Sequence, residues 1–165
     1  MAGLYLVPFA GIAFLWFIAV VRNSIGERED KFFATVFLGS GLLFIAMLFA
    51  GAAAGGALTA GKSFGTASAA NPAVTDFARS FAYALLFVYA TKAAGVFVIS
   101  TSTLIRGASD WPSWMAVSGY VIGIVLLFSV TFWEAILLLF PLWVIVVSVR
   151  ILLSEATDSR SPGVG

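Results

Sequence analysis

The sequence predicts an all-α fold, a polytopic membrane helical bundle of five transmembrane helices, and three observations carry that prediction. Hydrophobic residues make up 61% of the 165 positions and charged residues only 10%, with a mean hydropathy of +1.06. That is too little polar surface to coat a water-soluble domain of this length. The apolar residues gather into runs of about 20, the helical length that crosses a hydrocarbon core of about 30 Å. The nine basic and eight acidic residues fall mostly in the connections between those runs.

The first run, 4–21, has no positive charge before it and Arg22-Asn23-Ser24 after it, whereas a cleaved signal peptide carries the charge first and small residues at its end. An uncleaved helix is expected, with Pro8 near its first turn, where a missing N–H matters least. Six charges then crowd into 22–31, which marks a solvated loop. The second helix is expected over 32–54. From Gly51 its residues are nearly all small, and Gly51 with Gly55 has the spacing that lets two helix backbones approach in lipid.

The segment 59–76 reads as an external loop rich in Ser, Thr, Ala, Gly and Asn-Pro. Overlapping its start, Gly56, Gly61, Lys62 and Ser63 match the phosphate-binding pattern GxxxxGK[ST]. That chemistry needs a buried strand before the loop and a helix N-terminus at the phosphates after it. Neither is predicted, so no nucleotide is expected to bind.

The third helix, 77–105, is expected to follow Asp76 as its N-cap. It is apolar nearly throughout but holds Lys92 near its midpoint. A charge at that depth opposes insertion by roughly 2.5–3.5 kcal/mol, and each Val, Leu, Ile or Phe returns only about 0.3–0.6. The remaining helices are therefore expected to cover this one. At 100° per residue, Tyr89, Lys92, Ser100 and Thr103 fall within about 80° of one another, on one polar stripe. Lys92 reads either as an interior lysine held by hydroxyls and backbone carbonyls or as a counter-charge in a polar cavity.

Trp111-Pro112-Ser113-Trp114 then marks an interface and a turn. The 40 nearly uncharged residues that follow are too many for one span, and the break Thr131-Phe132-Trp133-Glu134 divides them into helices 114–130 and 135–153. Gly119 and Gly123 offer a second close-packing pair. Glu134 is expected at the outer interface, about half a bilayer from Lys92 in depth, as a cap or as a proton or cation ligand. The whole reads as one transmembrane domain over 1–153 and a polar cytoplasmic tail, 154–165, without fixed structure.

Basic residues set the orientation. Arg22, Arg28, Lys31, Arg106, Arg150 and Arg160 fall on one side and only Lys62 and Arg79 on the other, so the N-terminus is expected outside and the C-terminus inside. The chain has no Cys and no His, which removes thiolate nucleophiles, Cys/His metal sites and histidine proton relays. Neither cofactor nor catalytic residue is expected. A net charge of +1 offers nucleic acid no basic field.

The stretches LVPFAGIAFLWFIAVVR (6–22), EDKFFATVFLGSGLLFIAMLF (29–49), VISTSTLI (98–105) and FPLWVIVVSV (140–149) resemble a group of uncharacterised multi-pass membrane proteins from actinobacteria. The resemblance implies a protein of the bacterial plasma (inner) membrane and brings no activity with it. It also implies longer relatives with an additional helix before the first one here. Two functions are then open: a structural or interaction component, self-associating or meeting a membrane partner through Gly51, Gly55, Gly119 and Gly123, or a small-solute or ion transporter or channel with a polar cavity around Lys92. An enzyme is not expected, because Glu134 has no convergent partner for acid–base work.

Overall fold

The computed structural model describes residues 2–25, 31–63, 71–108, 111–129 and 134–158, and every described element is helical. Helix α1 covers Ala2–Ile25, α2 Lys31–Ser63 and α3 Pro72–Tyr83. Helix α3 passes without a break through a π-helical stretch, Ala84–Ala90, into α4, Thr91–Gly107. Helix α5 covers Ser113–Phe128, and a 3₁₀ turn, Glu134–Leu138, leads into α6, Leu139–Asp158. Four helices are long and apolar enough to cross a membrane: Tyr5–Ser24, Lys31–Ala57, Pro72–Gly107 and Ala135–Ser154. Helix α5 is equally apolar but has only 16 residues, about 24 Å.

All the helices but α5 run longer than the sequence predicts. Helix α2 does not end at 54. Its alanine-rich second half continues to Ser63, as alanine, the strongest helix former, favours. The expected external loop 59–76 is thereby reduced, and its residues 64–70 lie outside the described part. The third helix is not capped by Asp76. Asn71 caps it, its side-chain oxygen accepting from the Ala73 N–H at 3.0 Å, with Pro72 pre-set in the first turn. Helix α1 begins early enough to place Pro8 inside it. Pro141 sits in the first turn of α6, where its missing N–H is tolerated. Helix α6 carries on through Asp158, five residues into the expected tail, while α5 stops at Phe128 rather than 130.

The long helix Pro72–Gly107 is the axis of the bundle. Half of its most apolar window is buried, against 17–22% in the other three long helices. Around it, α2 packs along the whole length and α5 against the α4 part, while α1 and α6 barely touch each other. The centre is a cluster of phenyl rings about Phe97, which is fully buried. Phe37 of α2 stacks on it at 4.8 Å between centroids, and Phe14 of α1 and Phe140 of α6 tilt against it at 5.1 and 6.1 Å. One side chain thus joins four helices, using the attraction between ring edges and faces that aromatic pairs add to their buried area.

Candidate functional site

Helices α4 and α5 are antiparallel, and glycine sets their separation. A methyl group on Gly95 would lie 3.0 Å from the Gly123 carbonyl oxygen and 3.1 Å from the Leu127 nitrogen. One on Gly123 would lie 2.5 Å from Ile99 Cγ1 and 3.0 Å from the Gly95 oxygen. These obstacles are largely backbone, so no larger residue fits without parting the helices. In that register Lys92, one turn before Gly95, stands opposite Leu126, one turn after Gly123.

The consequence is a hydrogen-bonded end to α5. The ammonium of Lys92 donates to the Ser129 carbonyl at 2.6 Å and to the Leu126 carbonyl at 3.2 Å. The last carbonyls of any helix lack intrahelical partners and carry its negative dipole end. A cation placed there satisfies both needs. The Ser129 hydroxyl adds a second bond to Leu126 O at 3.0 Å, and the Ser129 amide closes the last turn on Val125 O at 2.8 Å. Lys92 is therefore held by backbone carbonyls of a neighbouring helix and not by the hydroxyls of its own stripe.

Those hydroxyls turn inward on their own backbone. Ser100 donates to Val96 O at 2.9 Å, Thr101 to Phe97 O at 2.7 Å, Ser102 to Val98 O at 2.7 Å and Thr103 to Ile99 O at 3.0 Å. This is the four-back pattern by which Ser and Thr satisfy themselves inside helices. Thr103 also shares a 2.9 Å bond with the Tyr120 hydroxyl. Tyr89 points away from them all and is 60% exposed. It lies in the π stretch, whose wider turn breaks the 100° phase on which the stripe was drawn. Of the predicted site, Tyr89 and Lys92 share a cleft of about 490 Å³ between α2 and α4, with Ser40 on its far wall, and Ser100 and Thr103 do not line it.

The side chain of Glu134 lies outside the described part. Its backbone opens the 3₁₀ turn, five residues after the carbonyl that Lys92 grips. Helix α5 ends at the level of Lys92.

The glycine pairs are spent within the chain. Leu86 packs on Gly51, Ala82 approaches Gly55, the Trp143 indole covers Gly119 and Ile99 covers Gly123. The pattern at Gly56, Gly61, Lys62 and Ser63 continues the α2 helix rather than forming a loop. Among the described residues no cluster of His, Cys, Asp or Glu could hold a metal ion. Sequence reasoning missed Gly95, Tyr120 and Ser129. Gly95 was discoverable, since an α4–α5 hairpin closed by the short connection at 108–112 brings it opposite Gly123.

A second hollow, about 530 Å³, lies on the other side of the long helix, among α1, α2, the π stretch and α6. Its one polar side chain is Thr91, whose hydroxyl donates to Leu86 O at 3.2 Å. That bond spans five residues, so it serves a carbonyl in the widened turn.

Fold and site together define a class: an apolar helical bundle, with helices able to cross a membrane, in which a lysine caps a short internal helix. Comparison of the chain with protein-family models, with curated proteins and with solved structures finds no match.

Proposed function

We propose that the chain is a multi-pass protein of the bacterial inner membrane, five helices crossing with the N-terminus outside, and that it serves as a structural or interaction component. One observation carries this reading: the grip of Lys92 on the Leu126 and Ser129 carbonyls. A helix of about 24 Å stops short of a hydrocarbon core of about 30 Å, so its final carbonyls would meet oil. A charged ammonium and bare carbonyls are each expensive in that setting, and bonded to each other both are relieved. The lysine then completes the fifth span and needs no catalytic or transport duty. The excess of basic residues at the ends of α1, α4 and α6 supports the orientation, and Trp111 and Trp114 at the start of α5 suit a head-group boundary.

Because the chain has no native cysteine, topology is testable with single introduced thiols. Ser24→Cys is expected to react with an impermeant maleimide only from the cytoplasmic side and Ala73→Cys only from outside; reaction of both from one side overturns the orientation. For the role, chemical crosslinking followed by native mass measurement in detergent is expected to recover a discrete partner or a fixed oligomer.

A second reading rests on the cleft that Lys92, Tyr89 and Ser40 border: passage of a small solute or ion along it. Flux into vesicles that disappears in Lys92→Met, with the protein folded and no partner recovered, would favour this reading over the first.

A further inference from the structure

We infer that the hollow among α1, α2, the π stretch and α6 holds one hydrocarbon chain of a membrane lipid, an inference that rests on the membrane reading above. The walls come from Phe14, Phe44, Leu86 and Phe140, and the rim from Ala10 and Ile145, both exposed on the outer faces of α1 and α6. Water has nothing to bind there. A buried water needs two to four polar partners, and the one hydroxyl in the wall already donates to Leu86 O. At about 530 Å³ the space is well above that of an apolar cavity able to admit a benzene ring, roughly 150 Å³.

Shape and depth choose the occupant. The hollow runs along the helices, from Leu86 to Ala94 on one wall and from Leu137 to Ile145 on another, each about 12 Å. Counted from Arg106, those first positions lie about 18–30 Å up the long helix, and counted from Arg150 the α6 wall lies about 8–20 Å up, so the hollow straddles the middle of the hydrocarbon core. The rim lies between two helices that barely touch and faces the same way as exposed Phe9 and Leu142. A slot parallel to the spanning helices, apolar but for one internally bonded hydroxyl among the described residues and open sideways at that depth, fits an acyl chain of a membrane lipid.

The test uses the full chain, reconstituted in vesicles of palmitoyl-oleoyl phosphatidylglycerol and phosphatidylethanolamine, extracted in mild detergent and weighed intact. One phospholipid per chain is expected to survive extraction. Ala90→Phe, which puts a ring into the hollow, is expected to lower the retained fraction at least tenfold. Ala10→Trp, at the exposed rim and so harmless to the core, is expected to lower it as well, and Val117→Phe on the outward face of α5 to leave it unchanged. Equal retention in the wild type, Ala90→Phe and Ala10→Trp overturns the inference, as does a wild type stripped of lipid or a retained molecule without a hydrocarbon chain. Failure of the membrane reading itself is separable, because the chain would then stay dispersed in buffer without detergent and the introduced thiols would show no sidedness.

Discussion

The two sides of the helix Pro72–Gly107 are built from the same kinds of residue and packed to opposite ends. Toward α5 it presents Gly95 and meets Gly123 backbone to backbone, with Lys92 and Thr103 bonded across the seam. Toward α1 and α6 it presents Leu86, Phe87 and Ala90 and leaves about 530 Å³ unfilled. In water such a void would be closed by the drive to bury apolar surface. In the proposed bilayer that drive between helices is absent, and only close fit and hydrogen bonds hold helices together. The seam is tight where small residues allow backbone contact, and bulky apolar residues leave room that lipid can take.

This contrast can be broken most severely at Gly123. We expect Gly123→Leu to destabilise the bundle by about 3 kcal/mol, because the new side chain meets backbone that cannot yield; a change below about 0.5 kcal/mol in reversible unfolding in mixed micelles would refute the tight seam. Next in size is Lys92→Met. It strands the Ser129 carbonyl, a loss of about 1–3 kcal/mol partly offset because no charge need be housed. The Ser129 amide should then exchange its hydrogen roughly tenfold faster, and Lys92→Arg should recover part of the protection. Unchanged exchange in Lys92→Met would show that the cap contributes nothing.

Smaller effects sharpen the comparison. Tyr120→Phe removes the bond to Thr103 and should lower stability by about 0.6 kcal/mol, the usual worth of such a bond between membrane helices. Least of all, Ala90→Phe should alter stability by less than about 0.5 kcal/mol, although overpacking a dense core costs about 1–3. Enlarging a small residue is thus expected to be ruinous on one side of the helix and nearly neutral on the other. Similar losses for Ala90→Phe and Gly123→Leu, measured by the same unfolding assay, would erase the distinction.

The apolar runs made the helices legible, and the lone lysine in the longest of them marked where the bundle had to supply polar partners. The identity of those partners was not legible. It depends on α5 ending at Phe128, and nothing in Leu126-Leu127-Phe128-Ser129 announces a stop. At Asn71 and Asp76 two residues of equal capping strength competed, and Pro72 decided between them. Tyr89 shares a cleft with Lys92 but not with Ser100 and Thr103, because a helical wheel drawn across the π stretch assumes one constant turn. The π stretch, Ala84-Leu-Leu-Phe-Val-Tyr-Ala90, has no marker in its composition and is stabilised by what packs around it.

That widened turn fixes how the two ends of the long helix are clocked against each other. Deleting one residue between Ala84 and Ala90 would let regular α geometry return, i→i+4 bonds replacing the i→i+5 ones, and the segments on either side would keep nearly their present facing. Ala82 would stay against Gly55, and the stacked pair Phe77 and Phe81, 5.9 Å apart and facing outward, would keep its aim. A one-codon deletion there is absorbed by the turn itself, so homologous chains one residue shorter at this point would present the same outer face on the same inner bundle.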